Sequence, residues 1–570
     1  MTHLAHARIA TRRQSHRPAP LFAALGLAAL TLATVAAAHA VQPMAGIYIG
    51  GFGKPGAFIL IWLELKPAND GRLEAELEQP FNVAGKIPVS AVEADGARIR
   101  FTANGEAYDL TRTELGYAGV VTLPGGKAQK ITLIARTNPL KPEVLATYEG
   151  TYDLGRGRTL TLSRSNAGST FWWLELPSGR TGSAMNVSDT SYFVTGECMY
   201  CADPIYRRID VVPKASGPID AIRVTEQGKS RLAPRLPGVR EETVSFTSAD
   251  DTVLEGTLYL PAGPGPHPAL AMLHGSGQQS RNGFYGQIRF LSEAYARAGI
   301  AVLAYDKRGV GASKGDWPTA SLDLMAQDGA AAVRALQARG DIDRKRIGMT
   351  GSSQAAWIIP MALRHVDGVA LMQLRSGSSP MGVEESEWRR LPLQMGGEGF
   401  SQAEIDHALV IRRKMDDYAK TGQGWDDLEV SFKAIEGKMW AQDGFIGALP
   451  AKDSTEWPWL KEAFNVDTTA DFARYRGPLQ FLYGEVDFVP TAQARPMLER
   501  ALGPRVRDPN VSIAVWPGAN HNYLAARSAA ESELPGLSRF VPGFYDCVTG
   551  WAAEQFGLKP KGSATKTCPR

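Results

Sequence analysis

The pattern of hydrophobic and polar positions divides the chain into an N-terminal half of short strands and a C-terminal half of alternating strands and helices. Between residues 41 and 236, short runs rich in aromatic and β-branched residues, such as AFILIWLEL, RTLTLSR and STFWWLEL, are separated by Gly, Asn and Asp turns. Such runs are typical of β-strands. Pro139 and Pro142 interrupt the pattern near residue 140. We therefore predict two β-rich modules, over 41–140 and 141–236, each a small barrel or sandwich.

Beyond residue 237 the pattern changes to apolar strands that alternate with amphipathic helices. PHPALAMLHG, IAVLAYDKRG, RIGMTGSS and GVALMQLRSG are the predicted strands, and segments such as FLSEAYARAG are the helices between them. This alternation predicts an α/β fold with a doubly wound, mainly parallel sheet that helices cover on both faces. The predicted catalytic region spans 237–570 and follows the two β-rich modules.

The alternation stops between residues 378 and 472, where helical sequence separates two sheet strands. Because ligands of open α/β sheets bind at the C-terminal edge of the strands, we predict that this insert is a helical cap over that edge. Most of its large apolar side chains should form the cap's own core, and the rest should give the pocket an apolar wall. These residues are Trp388, Leu391, Leu393, Met395, Trp425, Met439, Trp440 and Phe445.

The first forty residues have the composition of an export signal. Four arginines and no acidic residue precede an apolar stretch that begins at Leu21, and Ala38-His39-Ala40 has the small-x-small pattern that signal peptidase cleaves. We predict a signal peptide over 1–40 and a periplasmic or secreted protein that is not stably inserted in the membrane. An uncleaved anchor is the alternative, since the apolar stretch approaches the length that spans a bilayer.

Charge and cysteine content narrow the function further. The net charge of +3 becomes −1 without the four arginines of residues 1–40. A nearly neutral mature chain gives no support for nucleic-acid binding or for binding to anionic lipid. In an oxidising compartment the four cysteines favour two disulfides, Cys198–Cys201 and Cys547–Cys568. Free thiols, or a redox or metal role for the CxxC pair, remain open alternatives.

A nucleophile elbow is predicted at Ser353. Gly351-Ser352-Ser353-Gln354-Ala355 follows the strand RIGMT and precedes a helix, which is the setting of the strained turn that presents a catalytic serine. The turn requires small residues two positions before and after the serine. Gly351 and Ala355 meet this requirement for Ser353, whereas Thr350 and Gln354 are too large for Ser352 to be the nucleophile.

A general base and an orienting acid follow in the chain order that this fold uses, Ser, then acid, then His. His521 is the one histidine beyond the predicted cap, and it lies directly after the strand VSIAVW. Glu485 and Asp487 both follow the preceding strand, PLQFLYG. We predict Asp487 as the acid that orients the base, because the turn must end before a carboxylate can fold back toward His521. Glu485 is then a turn or rim residue.

The glycine loop Leu273-His274-Gly275-Ser276-Gly277 ends a predicted strand. We predict that it supplies one oxyanion-hole donor, the backbone N–H of Ser276, while the N–H of Gln354 supplies the other. His274 is predicted to be structural. In the following loop, YDKRGVGAS, Asp306 and Arg308 are predicted to pair with each other and support the oxyanion loop. No phosphate-binding spacing is present in this loop.

These motifs, in this order and spacing, resemble the secreted α/β-hydrolases of the esterase and serine-aminopeptidase-like branch, which is similar to the catalytic domains of prolyl oligopeptidases and acyl-CoA thioesterases. The resemblance covers about residues 240 to 557, and its motifs are GTLYLP, PHPALAMLHGSG, YDKRGVGAS, GSSQ, YGEVDFVP and NH. It implies triad roles for Ser353, Asp487 and His521. It also implies that Ser276 and Gln354 form the oxyanion hole. One departure is that Ala355 and Ala356 stand where the family's elbow usually ends in glycine.

The residues therefore predict a serine hydrolase that cleaves a carboxylic ester of a small molecule through an acyl-enzyme, without a metal or cofactor. A peptidase or amidase acting on short peptides is the alternative within the class. A third hypothesis, from another class, is a catalytically silent binding protein that uses the β-rich modules to capture a glycan or peptide.

Overall fold

The computed structural model describes residues 45–558, apart from 55–56, 69–71, 80–85, 96, 137–139, 165–170, 187, 196–198, 200–204 and 442–444, together with 568–569. The predicted signal segment and the predicted Cys198–Cys201 disulfide lie outside these residues. Over the described part of the chain, no helix combines the length and the apolar character needed to cross a membrane. The strands form three sheets that follow one another in sequence.

The first sheet is an antiparallel meander of nine strands with the order β4-β3-β2-β1-β9-β8-β7-β6-β5. The strands are β1 (Gly46–Lys54), β2 (Ala57–Pro67), β3 (Leu73–Glu78), β4 (Lys86–Ile87), β5 (Val89–Ala94), β6 (Arg98–Ala103), β7 (Glu106–Arg112), β8 (Gly116–Thr122) and β9 (Ala128–Ala135). Alternate residues of β6, Ile99, Phe101 and Ala103, are buried in a core that belongs to this sheet. Because β3 and β5 also contact each other, the sheet curls around that core.

The second sheet is an antiparallel meander of eight strands that closes into a barrel. Its strands are β10 (Gly150–Gly155), β11 (Arg158–Arg164), β12 (Phe171–Leu176), β13 (Arg180–Asn186), β14 (Ser191–Thr195), β15 (Ile205–Val211), β16 (Ala221–Glu226) and β17 (Lys229–Pro234). Closure comes from a β-bridge between Tyr152 and Arg235 and from the Leu236 N–H, which donates to the Thr151 carbonyl at 2.8 Å. We call this unit the β10–β17 barrel.

The third sheet confirms the predicted α/β fold class. Its strands are β18 (Val239–Thr247), β19 (Val253–Pro261), β20 (His267–Leu273), β21 (Ala301–Tyr305), β22 (Ile342–Ser352), β23 (Val369–Arg375), β24 (Leu479–Gly484) and β25 (Val511–Trp516). Their order is β18-β19-β21-β20-β22-β23-β24-β25, in which β19 is antiparallel to both neighbours and all later pairs are parallel. Apolar strands such as Ala301–Tyr305 are buried along their whole length, because helices cover both faces.

All helices but the first, which packs on the β10–β17 barrel, cover this sheet or insert between two of its strands. They are α1 (Pro142–Tyr148), α2 (Gln287–Arg297), α3 (Leu322–Gln337), α4 (Ala355–Ala362), α5 (Val383–Glu398), α6 (Gln402–Thr421), α7 (Trp425–Ala434), α8 (Glu456–Phe464), α9 (Thr469–Arg474), α10 (Thr491–Leu502) and α11 (Phe544–Gln555). Helices α3, α4 and α10 share one core with the sheet, and α2 and α11 share another. Helices α5 to α9 lie between β23 and β24, and residues of α5 to α8 form a separate core with the segments that join them.

A disulfide joins Cys547 in α11 to Cys568 near the C-terminus, as predicted, with Cα atoms 4.9 Å apart. Cys547 is itself buried in the core beneath the sheet. The C-terminal segment is thereby tied covalently to a helix of the α/β region.

Candidate active site

Ser353 lies in the tight turn that joins β22 to α4. Its φ angle is +58°, a left-handed conformation that is costly for a residue with a side chain. The Ser353 N–H donates to the Arg375 carbonyl at 2.8 Å and holds the turn against β23. A Cβ on Gly351 would lie only 2.4 Å from the Ala355 Cβ, so the requirement for small residues around the serine has a direct steric cause.

The structure also explains how the elbow accepts Ala356. A Cβ on Gly377 would approach the Ala356 Cβ to 2.2 Å, so the methyl group of Ala356 occupies space that glycine leaves open on the neighbouring loop. The methyl group of Ala355 likewise faces Gly351. The departure from the usual glycine at the end of the elbow is therefore compensated by glycines on the opposing backbone.

His521 and Asp487 lie side by side on neighbouring loops. The His521 Nδ1 lies 2.8 Å from Asp487 Oδ1, and the same carboxylate oxygen accepts the Val489 N–H at 2.8 Å. The Asp487 side chain is fully buried. The ring of Phe488 stacks on the His521 imidazole, with ring centroids 4.5 Å apart. The Ser376 hydroxyl donates to the His521 carbonyl at 2.8 Å, so both the ring and the backbone of the histidine are held in place.

Glu485, the other acid after β24, has a different position. Its Oε2 accepts the Gly518 N–H at 2.8 Å, on the loop that leads to His521. It is thus a turn residue that joins the two loops, as the sequence analysis expected.

Burial and charge act in opposite directions on the pKa of His521. Burial lowers the pKa, but the charge and hydrogen bond of Asp487 raise it by more, and the charge of Glu531 raises it further. The pKa therefore lies above its ordinary value of 6.5. A carboxylate that accepts from Nδ1 favours the tautomer in which Nε2 is unprotonated. Such an imidazole can accept a proton at neutral to alkaline pH.

The glycine loop after β20 packs directly on the elbow. A Cβ on Gly275 would lie 3.2 Å from the Ser353 Cβ, so the absence of a side chain lets the two loops meet. Ser276 and Gln354, the predicted oxyanion-hole donors, line the same cavity as Ser353 and His521. The Ser276 carbonyl accepts from Gln279 Nε2 at 2.9 Å, which fixes the orientation of the loop.

Lys307 joins the two sides of this arrangement, and the sequence analysis missed it. Its buried Nζ donates to the carbonyls of Gly275 (3.0 Å) and Gly277 (3.2 Å) and to the Gln354 Oε1 (3.2 Å). Burial lowers the pKa of Lys307 to about 8, although Asp328 acts in the opposite direction. The signal in the sequence was a lysine placed two residues after a fully buried strand, AVLAY.

Asp306 and Arg308 do not pair with each other, so that prediction was wrong. Asp306 pairs with Arg281 at 2.7 Å, whereas Arg308 pairs with Asp328 of α3 at 2.6 Å and with Asp250 at 3.0 Å. Each residue has a better partner on another element, which sequence proximity does not reveal.

His274 lies at the start of the glycine loop that follows β20. It bonds through Nε2 to the Tyr305 carbonyl at 2.5 Å. Burial, together with the charge of Lys307, lowers its pKa to about 4. It is therefore neutral at physiological pH, as expected of a residue that fixes the loop.

Ser353, Ser276, Gln354 and His521 open on one cavity of about 660 Å³ between the sheet edge and the inserted helices. The insert lines it with Glu387, Arg390 and Arg412 as well as with apolar groups such as Phe445 and Trp459. Of the eight large apolar residues named from the sequence, Phe445 alone is among the described lining residues. Leu391, Met395, Trp425, Trp440 and Phe445 all belong to the core of the insert.

The wall that the insert contributes is thus charged as well as apolar, so the prediction of an apolar wall holds only in part. The Glu387 carboxylate pairs with Arg390 Nε at 2.9 Å and with Arg412 at 3.5 Å. Burial alone would raise the pKa of Glu387, but the two guanidinium groups hold it below its ordinary value. Glu531, outside the insert, also lines the cavity, and its carboxylate accepts from Gln394 Nε2 at 2.8 Å.

Comparison with known proteins gives one family model and one curated relative. Residues 250–476 match the model of X-Pro dipeptidyl-peptidase (S15 family). The chain is 32% identical over 287 residues to esterase EstD of Thermotoga maritima, and this alignment covers 49% of this chain and 61% of the esterase. The chain thus spans about three-fifths of the length of that relative. The family match falls on the α/β part, and the two matches together confirm the predicted resemblance to serine hydrolases of the α/β-hydrolase type.

Solved structures give more distant likenesses. An esterase from Pyrococcus furiosus is 20% identical with a TM-score of 0.32, over 51% of this chain and 88% of that one. Est1E from Butyrivibrio proteoclasticus, solved with ferulic acid bound, is 16% identical with a TM-score of 0.36, over 55% and 100% of the two chains. Scores this low carry no information about substrate.

Proposed function

We propose that this chain is an exported serine hydrolase that cleaves carboxylic esters, with Ser353 as nucleophile, His521 as general base and Asp487 as the residue that orients the base. The observation that carries the proposal is the 2.8 Å contact between His521 Nδ1 and Asp487 Oδ1, on the same cavity as a serine whose φ angle is +58°. A strained serine turn beside a carboxylate-oriented imidazole is the arrangement that activates a hydroxyl for acyl transfer.

In the proposed reaction, Ser353 Oγ attacks the ester carbonyl while His521 Nε2 accepts the hydroxyl proton. The backbone N–H groups of Ser276 and Gln354 stabilise the oxyanion of the tetrahedral intermediate. Collapse of the intermediate breaks the bond to the alcohol oxygen, which takes the proton from His521, and leaves an acyl group on Ser353. Water, deprotonated by His521, then attacks the acyl-enzyme and releases the acid. Asp487 stabilises the imidazolium throughout without taking its proton.

The nucleophile is tested by Ser353→Ala, with Ser352→Ala as the matched control one position away. We expect Ser353→Ala to lower kcat on p-nitrophenyl acetate by at least about 10³-fold and to abolish labelling by a fluorophosphonate probe. Ser352→Ala should retain most of the activity, because Ser352 ends the strand before the turn. Mass mapping of the probe adduct to Ser352 would reject the assignment. A wild-type protein that neither reacts with the probe nor hydrolyses any substrate would instead favour the silent binding protein.

A peptidase is the second candidate, and two observations favour it. The family model that matches residues 250–476 is that of a dipeptidyl-peptidase. The cavity also contains two carboxylates, Glu387 and Glu531, which could receive the ammonium group of a peptide N-terminus. Paired p-nitrophenyl esters and p-nitroanilides of the same acyl group separate the candidates. An ester-to-anilide rate ratio close to that of uncatalysed hydrolysis supports the esterase, whereas strong relative acceleration of aminoacyl anilides supports the peptidase.

Export is supported by the composition of residues 1–40 and by the Cys547–Cys568 disulfide, which is typical of oxidising compartments. We expect the mature chain to begin at Val41 and to contain no reactive thiol. N-terminal sequencing and thiol titration of protein from the periplasm or medium measure both. A chain that retains residues 1–40 in the membrane fraction would contradict this part of the proposal.

A further inference from the structure

One wall of the cavity is a short turn that follows the oxyanion loop. Phe284 and Tyr285 line the cavity from a single 3₁₀ turn, Phe284–Gly286, directly before α2. Tyr285 has a φ angle of +55°, which is costly for a tyrosine, so surrounding contacts must hold the turn in this shape. Some of these contacts come from outside the α/β region.

The β10–β17 barrel packs against the back of this turn. Trp172 of β12 meets the Tyr285 ring edge to face, with centroids 5.2 Å apart and planes at 81°. Trp172 is only 8% exposed and belongs to the core that the barrel shares with α2 and α11. Gly286 lies so close to β11 that a Cβ there would be 2.8 Å from the Ser163 Cβ. The barrel therefore touches both Tyr285 and the residue that follows it.

Polar contacts fix the two ends of the turn. Before it, the Asn282 side-chain amide donates to Glu149, at the start of the barrel, at 3.1 Å. After it, the Gln287 amide donates to the Asn522 carbonyl at 3.0 Å, next to His521. The turn is thus anchored to the barrel on one side and to the histidine loop on the other.

From these contacts we propose that Trp172 is a positioning residue that holds Tyr285 in the wall of the acyl pocket, so that the β10–β17 barrel takes part in selecting the acyl group. The inference rests on the proposed function. The wall that the turn and α2 present is mainly apolar, with Phe284, Tyr285, Ile288 and Leu291 beside Gln287. The inserted helices add the charged groups Glu387, Arg390 and Arg412 to their apolar ones. An apolar acyl chain fits the first wall, because it gains from burial there and leaves no charged group unpaired.

The test compares long with short acyl groups, because an acetyl group reaches little of the wall. For Trp172→Ala we expect kcat/KM on p-nitrophenyl octanoate, relative to acetate, to fall about tenfold, mainly through KM. Trp172→Phe restores an aromatic edge and should return most of this ratio. Leu162→Ala is the matched control, because Leu162 is buried in the barrel's own core. Its truncation should destabilise the barrel without changing the contact between Trp172 and Tyr285. It should leave the ratio within about twofold of wild type, since the wall keeps its support.

A double-mutant cycle with Tyr285→Ala tests whether Trp172 acts through Tyr285. In the Tyr285→Ala background, Trp172→Ala should change the octanoate-to-acetate ratio by less than about twofold. An unchanged ratio in folded Trp172→Ala, an equal fall in Leu162→Ala, or full additivity with Tyr285→Ala would each overturn the inference. Labelling rates with ethyl and octyl phosphonate probes give the same ratio without ester turnover. Normal labelling of Ser353 with no effect of Trp172→Ala on the ratio would contradict this inference alone. Failure of the wild type to react with the probes would contradict the proposed function as well.

Discussion

The floor and the roof of the cavity are built in different ways. On the floor, Ser353, Ser276 and His521 are carried by loops whose shapes depend on backbone hydrogen bonds and on glycines that permit contacts closer than a Cβ allows. On the roof, the inserted helices have a core of their own, and they contribute to the cavity a set of paired charges around Glu387 beside apolar groups such as Phe445 and Trp459. We infer that the floor determines the chemical step, whereas the roof, together with the wall at Tyr285, determines which substrates reach it.

The largest effect expected after removal of the nucleophile comes from Asp487→Asn on the floor. It should lower kcat by about 10³–10⁴-fold, because the amide no longer favours the reactive tautomer or stabilises the imidazolium. The pH profile should also move. His521 acts when neutral, so wild-type kcat/KM falls as the pH drops through a pKa above 6.5. Without the carboxylate, burial dominates and lowers that pKa, so the acidic limb should shift to lower pH.

Glu485→Gln is the matched control, because Glu485 carries the same charge two residues away but binds the Gly518 N–H instead of the histidine. Its kcat should remain within about tenfold of wild type, and its acidic limb should not move. Equal losses in the two variants would mean that the loop, not the contact with His521, carries the effect.

An intermediate effect is expected from Lys307→Met. Its ammonium group ties the residues on both sides of Ser276 to the Gln354 side chain, so its loss should lower kcat by about 10- to 100-fold while KM changes little. The pKa of Lys307 is about 8, so its charge is present at lower pH and is lost as the pH rises through that value. Wild-type kcat should therefore decline in this range, and Lys307→Met should lack the decline.

Among the titratable groups around Lys307, Lys307 itself is expected to cause the decline of kcat at high pH. Asp328 raises its pKa, and His274, which is neutral at these pH values, does not titrate there. Lys314→Met in the same loop is the control, because that side chain is exposed. A basic limb that persists in Lys307→Met would remove Lys307 from this role.

The smallest effect on the chemical step is expected on the roof. Glu387→Gln makes the cavity more positive, because Arg390 and Arg412 lose their shared partner. The rate on an anionic ester relative to a cationic ester of the same acyl group should rise about three- to tenfold, while kcat on the acetate stays within about twofold. Glu385→Gln on the same helix removes a carboxylate that pairs with Arg389 outside the cavity and should leave this ratio unchanged. A shift as large as that of Glu387→Gln would point to long-range charge, not to the roof.

The same division separates what could be predicted from the sequence from what could not. The elbow was predictable because its shape demands small residues at fixed positions around Ser353, and the strand and helix on either side are strongly patterned. The order of the acid and the base follows from the order of the strands. The charged roof was not predictable, because Glu387 and Arg390 have the pattern of an ordinary solvated helix face. Their burial depends on how α5 packs over the sheet. The partners of Asp306 and Arg308 were missed for the same reason, since Arg281 and Asp328 are distant in the sequence.

The elbow also makes mutational tolerance around Ser353 directional. Ala355 and Ala356 face Gly351 and Gly377, and each pair has room for one methyl group and not for two. Either alanine can lose its methyl group and leave a small void, whereas either glycine would need the backbone to move before it could gain one. Random mutagenesis should therefore recover Ala355→Gly and Ala356→Gly among active clones and exclude alanine at 351 and 377. Where the alanine has first become glycine, the reciprocal change still brings the new Cβ to 3.0 Å from the Leu273 carbonyl at 351, or to 3.1 Å from the Ser353 carbonyl at 377. The methyl group can therefore pass from one side of the turn to the other only in two ordered steps and with a small shift of the backbone.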